Sequence, residues 1–598
     1  MATPIVVDFD MDDDPATLAP SIVFTAFPTM GSYANPGVLR VVDGGSCAHQ
    51  FTAGDPADAT MSPASVAAGD LDGDGRAEIV AVAHGGGLLA FEWRADTRTF
   101  ARRWRSGTCD AMGGRVPDTT GGADQWAGAS IHDLDDDGSP EIVYGATVYG
   151  ADGCIRSSAL AYPAYHMGVV PVVVDVDADG RMELVQGNAI HEWSGGAWAP
   201  EPYFVRGTLT LGQVAVADLG EFPIPALGDL DYAEIVVVSS GTVRVQTLDG
   251  RVVFGPHTIP GGGRGGPPTI ADFDGDGRRE LATAGGTRYV VYDLDCVAGS
   301  VAGCASGRTD GVLWTQPSQD SSSNATGSSV FDFDADGAAE AVYADECFLR
   351  VYSGADGTVL YSAARSSGTT YENPVIADVD GDFHSEIVSA VNDYAGTLGC
   401  PATDPLRASG TYERGHGIVV LRDVEDRWAA SRPVWSQHAY SVTHVGDRGE
   451  IPRTSAVALH WRDAELNSFR QNVQGDLEAL GVPDLTATAV SERLRVPCDA
   501  MGRATLRARV CNRGSLPMAA GFEVSFRAEA RDGEELCRAS SPVFLAVAAC
   551  GEVSCLASLP ADRAIDVYVV ADPSALAEEC FEANNFGLQP DVACETVD

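Results

Sequence analysis

Carboxylates recur at a fixed spacing in six nine-residue segments of the chain. In residues 70–78, Asp occupies the first, third and fifth positions, Gly the sixth and Glu the ninth. Hard divalent cations such as calcium take about six to eight oxygen ligands, which carboxylates and a backbone carbonyl supply. The sixth-position Gly allows the left-handed bend that such a loop needs. Each segment therefore predicts a calcium-binding loop.

The six segments predict calcium as the cofactor, at about six sites. The candidate ligand positions are the first, third, fifth, seventh and ninth of each segment: Asp70, Asp72, Asp74, Arg76 and Glu78; Asp133, Asp135, Asp137, Ser139 and Glu141; Asp175, Asp177, Asp179, Arg181 and Glu183; Asp272, Asp274, Asp276, Arg278 and Glu280; Asp332, Asp334, Asp336, Ala338 and Glu340; Asp378, Asp380, Asp382, His384 and Glu386. The last segment has Phe383 where the others have Gly. We expect a bulky residue at this bend to cost energy, because positive φ disfavours it.

Two further copies of the pattern are imperfect. The first offers Asp8, Asp10 and Asp12 as candidate ligands but lacks the Gly and the Glu. The second begins at Asp218 and is interrupted by a Pro-containing insertion, after which Asp229, Asp231 and Glu234 remain. We expect no metal at the second copy.

The residues around each segment predict that it is the turn of a β-hairpin. A short apolar alternation precedes the acids, as in residues 171–174, and a β-branched run follows them, as in residues 79–82. These strand-forming neighbours distinguish the segment from an EF-hand, which needs helices and a longer loop. Two more strands usually follow, and four short strands per repeat are typical of a β-propeller blade. Eight copies predict eight blades over residues 1–440, or seven if the first copy is not a full blade.

The end of the chain shows a different pattern. Residues 441–481 predict a connector, in which residues 461–480 could hold a short helix. Over residues 482–598 apolar and polar residues alternate; Leu506, Ala508 and Val510, for example, are interleaved with Arg507 and Arg509. Short two-faced strands of this kind predict an antiparallel β-sandwich. The fold class is therefore all-β.

Composition narrows the partners and the location. The chain has 598 residues, a formal charge of −46 and no Lys. Such a charge argues against nucleic acid and anionic membrane surfaces, and no apolar run is long enough for direct membrane insertion. We expect a secreted or cell-surface protein, with a cytoplasmic protein as the alternative. Residues 1–8 do not resemble a signal peptide, so the expected native start of a secreted protein lies upstream of them.

The 14 cysteines predict disulfide bonds. Seven lie in the first 400 residues and seven in the last 101, and none forms a Cys-x-x-Cys pattern. Disulfides in an oxidising compartment explain this distribution better than buried free thiols. The odd number in each region leaves either an unpaired thiol or a bridge between the regions.

The repeated motif Asp-x-Asp-x-Asp-Gly-x-x-Glu between two strands resembles the FG-GAP/VCBS repeats of integrin-α-like and bacterial surface proteins. Residues 483–485, 510–514 and 579–585 resemble the CARDB domain, an Ig-like module of bacterial surface proteins. The first resemblance implies calcium at the hairpin turns of a propeller and a role in adhesion or ligand binding. The second implies an Ig-like spacer.

No catalytic residue is predicted. Gly261–Gly266 has the spacing of a dinucleotide-binding loop, but another strand follows where a helix is needed. His438, His444 and His460 lack metal-ligand spacing, and we expect structural roles for them. The expected protein is an extracellular calcium-binding protein that acts in adhesion or binds a ligand, either a polysaccharide or an extracellular protein, with the propeller as the recognition platform. The alternatives are a polysaccharide lyase or hydrolase and an architectural component of a surface assembly.

Overall fold

The computed structural model covers most of the chain. The residues that it describes are 2–13, 17–27, 35–119, 126–160, 170–228, 230–393, 399–407, 412–424, 427–473, 483–487, 494–514, 517–546, 549–560, 563–574, 576–577 and 584–595. Strands dominate this part of the chain, and the helical elements within it are 3₁₀ turns at Pro56–Asp58, Val301–Gly303, Thr454–Ala456 and His460–Arg462. The expected all-β architecture is confirmed. No helix among these residues has the length and apolar character to cross a membrane.

Eight small antiparallel sheets follow one another along the described residues of the first 421 positions. They are sheet 1, with β1 (Ile5–Val7), β2 (Ser21–Ala26), β3 (Pro36–Asp43), β4 (His49–Thr52) and β5 (Thr60–Met61); sheet 2, with β6 (Ala67–Gly69), β7 (Glu78–Val82), β8 (Leu88–Arg94) and β9 (Thr99–Arg105); sheet 3, with β12 (Ala129–His132), β13 (Glu141–Tyr144), β14 (Thr147–Gly150) and β15 (Ile155–Ser157), preceded by the hairpin β10 (Gly107–Cys109) and β11 (Arg115–Pro117); sheet 4, with β16 (Val172–Val174), β17 (Glu183–Gln186), β18 (Ala189–Ser194) and β19 (Ala197–Pro200); sheet 5, with β20 (Gln213–Ala217), β21 (Glu234–Ser239), β22 (Thr242–Gln246) and β23 (Val252–Thr258); sheet 6, with β24 (Thr269–Ala271), β25 (Glu280–Ala284), β26 (Arg288–Val297) and β27 (Asp310–Pro317); sheet 7, with β28 (Ser328–Phe331), β29 (Glu340–Ala344), β30 (Phe348–Tyr352) and β31 (Val359–Ala364); and sheet 8, with β32 (Val375–Ala377), β33 (Glu386–Val391) and β34 (Gly417–Leu421).

Each sheet is a meander in which the strands pair in chain order, except that β5 of sheet 1 pairs with β3. The first strand of every sheet contacts the first strands of the sheets before and after it, and β32 contacts β1. The eight first strands therefore form a closed ring. They and the second strands are almost entirely buried between neighbouring sheets, whereas outer strands such as β19 and β31 are partly exposed.

The segment 427–473 runs around the inside of this ring. It bonds to each first strand or to the residue that follows it. The contacts are Val6 with Trp435, Ala68 N with Ser436 O, Ile131 N with Gln437 Oε1, Asp175 O with Trp461 Nε1, Val216 O with His460 Nε2, Ile270 with Phe469, Val330 N with Arg470 O and Ile376 O with Asn472 Nδ2. The boundary that the motif predicts, at residue 440, lies within this segment. The expected helix over 461–480 falls partly on 474–480, outside the described residues, and the 3₁₀ turn His460–Arg462 overlaps its start.

The C-terminal region has two sheets around one core. One holds β35 (Leu485–Ala487), β37 (Arg503–Asn512) and β40 (Cys550–Ser558); the other holds β36 (Arg495–Pro497), β38 (Glu523–Ala528), β39 (Glu535–Ser540), β41 (Ile565–Ala571) and β42 (Phe586–Glu595). The predicted alternation is present in β37, where Leu506 and Val510 are buried and Arg507 and Arg509 are exposed. Side chains from both sheets share the core.

The expected disulfides are present. Within the described part of the chain six pairs form: Cys109–Cys154, Cys296–Cys304, Cys347–Cys400, Cys498–Cys594, Cys511–Cys550 and Cys537–Cys555. Three lie in the ring region and three in the C-terminal region. Cys47 is free and exposed, and Cys580 lies outside the described residues.

Candidate metal centres

The six predicted loops occupy the same place in their sheets. Each joins the first strand to the second, so that its first Asp follows the first strand directly and its Glu begins the second strand. In sheet 4, for example, β16 ends at Val174, the loop begins at Asp175, and β17 begins at Glu183. The hairpin interpretation is therefore confirmed, and the acids of each loop meet at one end of its sheet.

Backbone N–H groups hold the acids of each loop in place. In the loop 70–78, Asp70 accepts hydrogen bonds from Gly73 N at 2.7 Å and from Gly75 N at 2.9 Å. Glu78 Oε2 accepts a bond from Leu71 N at 2.8 Å. Because these oxygens are fixed by the main chain, the remaining carboxylate oxygens are oriented without any ion.

Three backbone bonds are common to all six loops. The first Asp accepts from the N–H of the sixth residue at 2.7–3.0 Å, and the fifth Asp accepts from that of the seventh residue at 2.7–2.9 Å. The ninth-position Glu accepts from the second residue at 2.7–3.0 Å. The loops therefore share one internal architecture.

The sixth position adopts positive φ, as the sequence predicts. Its φ is +86° at Gly180, +88° at Gly277 and +71° at Phe383. Phe383 therefore holds a conformation that non-Gly residues seldom adopt. Its N–H still bonds to Asp378 Oδ2 at 3.0 Å, so the loop keeps its bonds despite the strain.

Several carboxylate oxygens in the loops are buried and lack a protein partner. They include Glu183 Oε1, Asp274 Oδ2, Asp380 Oδ1 and Glu386 Oε1. In four loops, carboxylate oxygens from three residues lie within 4.8 Å of one another: Asp70, Asp72 and Glu78; Asp133, Asp135 and Glu141; Asp175, Asp177 and Glu183; and Asp272, Asp274 and Asp276. Unpartnered buried carboxylates are costly unless a cation compensates them.

The ninth-position carboxyls show this cost in their pKa values. Burial, reinforced by the neighbouring Asp residues, raises the pKa of Glu141 to about 8 and that of Glu183 to about 10. The pKa of Glu280 rises to about 9 and that of Glu386 to about 10 for the same reasons. Each site therefore favours either a proton or a cation at neutral pH. The donor set, all oxygen and mostly carboxylate, fits a hard divalent cation.

The two imperfect copies differ from these six. Near the start of the chain, Asp8 Oδ2 and Asp10 Oδ1 are buried without a partner, but Arg76 from the neighbouring loop reaches Asp10 at 3.2 Å. In the interrupted copy, Glu234 keeps its bond to Leu219 N at 3.0 Å. Asp229 of that copy lies outside the described residues.

The structure also brings charged residues to the loops that local spacing does not reveal. Glu192 on β18 pairs across the sheet with Glu183 and adds another carboxylate beside the loop 175–183. Asp293 on β26 similarly raises the pKa values of Asp274 and Glu280. The signal that could have found them is an acid on the third strand of a sheet, opposite the Glu.

The loop 70–78 has a basic neighbour on the fourth strand of its sheet. Arg103 on β9 contacts Asp72 and lies 3.0 Å from Glu92 Oε2. Its guanidinium also lies 3.8 Å from Glu78 Oε1. A positive side chain therefore lies beside the acids of this loop.

The three histidines of the segment 427–473 are buried beside main-chain and hydroxyl groups. His438 Nε2 bonds to Tyr371 O at 2.8 Å, and His460 Nε2 bonds to Val216 O at 3.0 Å. His444 bonds to Ser441 N and Ser436 Oγ. His444 and His460 line a cavity of about 20 Å³.

Comparison with known proteins identifies one repeat and one similar fold. Residues 62–97, which include the loop 70–78, match the FG-GAP repeat. The structure is similar to that of the V. cholerae biofilm matrix protein Bap1, with a TM-score of 0.60 and 17% identity over 80% of this chain and 96% of that chain. This is a likeness of fold.

Two further similarities have low TM-scores. A CARDB domain from Pyrococcus furiosus is 18% identical with a TM-score of 0.16, and covers 20% of this chain and 96% of that domain. The rhamnogalacturonan lyase YesW is 16% identical with a TM-score of 0.29, and covers 66% of this chain and 59% of that chain. No curated protein sequence matches the chain significantly.

Proposed function

We propose that the protein is an extracellular calcium-binding protein that recognises a polysaccharide or an extracellular protein ligand. In this proposal the ring of eight sheets is an eight-bladed β-propeller. The two C-terminal sheets are an Ig-like, CARDB-like spacer. The closed cycle of eight first strands supports eight blades over seven. The six disulfides fit an extracellular location.

The observation that carries calcium binding is the set of buried carboxylate oxygens without a protein partner, repeated in loops of one architecture. In each loop the three Asp residues, the seventh-position carbonyl and the Glu would hold the ion. A bound ion supplies positive charge that neutralises the cluster. The loop's own N–H groups already orient the acids, so binding requires little rearrangement.

Recognition of a ligand by the rim is favoured over catalysis on the ring axis. The segment 427–473 fills the inside of the ring with buried side chains such as Trp435, Tyr440 and Trp461. The cavity beside His444 and His460 has a volume of about 20 Å³, which is too small for a sugar ring. Binding of glycans and matrix proteins, measured with and without calcium, is the direct assay for the ligand.

Removal of calcium tests the proposal. We expect excess EDTA to lower the melting temperature by more than about 10 °C, because every loop would retain a cluster of repelling carboxylates. Titrating calcium back should restore the melting temperature and bind about six ions per chain, counted by metal analysis. Magnesium is the control, since it demands a tighter octahedral geometry and should restore less. An unchanged melting curve for a metal-free sample would contradict calcium stabilisation.

A further inference from the structure

Two of the six loops lie close to the C-terminal region. In the loop 378–386 the side chain of His384 is buried, and its Nδ1 lies 2.7 Å from Trp428 O. A carbonyl oxygen only accepts, so Nδ1 carries a proton, and Nε2 of the neutral ring is then the acceptor. Nε2 lies 3.1 Å from Asn584 Nδ2, which therefore donates to it. A seventh-position residue thus joins its loop to the C-terminal region.

Asn584 belongs to a small buried network on the C-terminal side. Its Nδ2 also donates to Asp484 Oδ2 at 3.0 Å. The carbonyl oxygen of Asp484 accepts a bond from Arg513 N at 2.6 Å. The side chains of Asp484 and Asn584 are each about 1% exposed, so the contact is well shielded from water.

Arg513 faces the other loop, 332–340. Its Nε and Nη1 are buried and lack a hydrogen-bond partner. Burial lowers its pKa, and attraction to Asp334, Asp332 and Asp336 opposes that fall. The guanidinium is therefore held near these carboxylates without bonding through Nε or Nη1, while the loop keeps the same backbone bonds as the others.

One divalent cation would balance the formal charge of the fully ionised loop 332–340 and its two Arg neighbours. The loop 332–340 supplies four carboxylates, formally −4 when ionised. Arg513 and Arg509, both of which stabilise the ionised form of Asp334, supply +2. One calcium ion would supply the remaining +2, as −4 + 2 + 2 = 0. Without the ion, the fully ionised loop keeps a formal charge of −2 after the two Arg residues are counted, as −4 + 2 = −2.

We propose that the loops 332–340 and 378–386 are the seat of the C-terminal domain, and that calcium in these two loops holds the domain against the ring. His384 links calcium binding to domain contact. Its backbone N–H bonds to Asp382 Oδ1 at 2.9 Å, and its side chain contacts Asn584. An ion that orders the loop also orders His384. Elsewhere, the loop 133–141 is contacted by Arg453 and Ser455 of the segment 427–473, so its occupancy affects the ring instead.

A matched pair of double variants of the full chain tests this seat. Glu340→Gln with Glu386→Gln removes one ligand from each seat loop, and Glu141→Gln with Glu183→Gln removes the equivalent ligands from two loops away from the seat. Each pair should bind about two fewer calcium ions by metal analysis. Only the seat pair should increase the radius of gyration in small-angle scattering and release a C-terminal fragment about 10-fold faster in limited proteolysis. Equal behaviour of the two pairs would overturn the proposal.

A second variant keeps every ligand and guards against misfolding of the first. Asn584→Ala should bind as much calcium as the wild type but release the C-terminal fragment about 10-fold faster. An unchanged release rate would overturn the proposal. The seat rests on the proposed calcium binding, and the two fail differently. A wild type that binds no calcium contradicts the calcium proposal, whereas full calcium content with identical release with and without EGTA contradicts only the seat.

Discussion

The ninth-position Glu makes a favourable hydrogen bond through one carboxylate oxygen and buries the other at a cost in free energy. In the loop 175–183, Glu183 Oε2 accepts a bond from Val176 N at 2.9 Å, while Oε1 is buried without a partner. Burial, together with Asp177 and Asp175, raises the pKa of this carboxyl to about 10. The ionised residue is therefore destabilising without a cation and stabilising with one.

Replacement of Glu183 by Gln should therefore have opposite effects with and without calcium. With free calcium at about 100 times Kd, loss of the ion should cost about 2.7 kcal/mol of stability. In EDTA the variant should melt at the same temperature as the wild type or above it, because a buried carboxylate has been removed. Glu552→Gln, an exposed substitution on β40, is the control. A decrease of equal size in both conditions would show that Glu183 acts only through packing.

Phe383 offers a second test at the residue scale. Its φ of +71° costs an L-residue about 1–2 kcal/mol, and its side chain, which is 39% exposed, is only partly buried. Phe383→Gly should raise the melting temperature in calcium by about 1–3 °C. Gly180→Ala is the reverse control: φ is +86° and the added Cβ would meet no atom within 4 Å, so only backbone strain changes. A lower melting temperature for Phe383→Gly would assign Phe383 a packing role.

At the scale of secondary-structure elements, the spacing of residues within the motif predicted the features that neighbouring residues determine. The nine-residue motif located the hairpin turns, the strands on either side of them and the positive φ at Gly180 and Phe383. It did not predict the course of the segment 427–473, because residues such as Trp435 and Phe469 carry no periodic signal. Nor did it predict Glu192 beside Glu183, or Asn584 beside His384, since these contacts join residues on different strands or far apart in sequence.

The course of the segment 427–473 predicts the effect of truncation. A chain that ends at residue 473 should keep the calcium-dependent melting transition, because the segment bonds to all eight first strands or to the residue after each. A chain that ends at residue 424 loses these bonds and exposes apolar surface of the ring, and it should aggregate or melt without cooperativity. The two truncations differ by only 49 positions. Equal melting of the two chains would show that the ring closes without the segment.

At the scale of the whole molecule, charge links the loops to one another. The formal charge of the chain is −46. Six calcium ions would change it by +12, which gives −34. The ion-free ring therefore carries a larger repulsion, which adds to the local cost in each loop and destabilises the compact state.

This repulsion predicts a salt dependence that differs between the two states. In EDTA, raising sodium chloride from about 0.05 M to about 0.5 M should increase the melting temperature by several degrees, because salt screens repulsion between exposed carboxylates. In saturating calcium the same change should have a much smaller effect, since the ions already neutralise the loops. Sodium sulfate is unsuitable because it strengthens apolar burial as well. Calorimetric melting curves at matched pH measure both series. Equal salt dependence in EDTA and calcium would show that the dominant repulsion lies outside the loops.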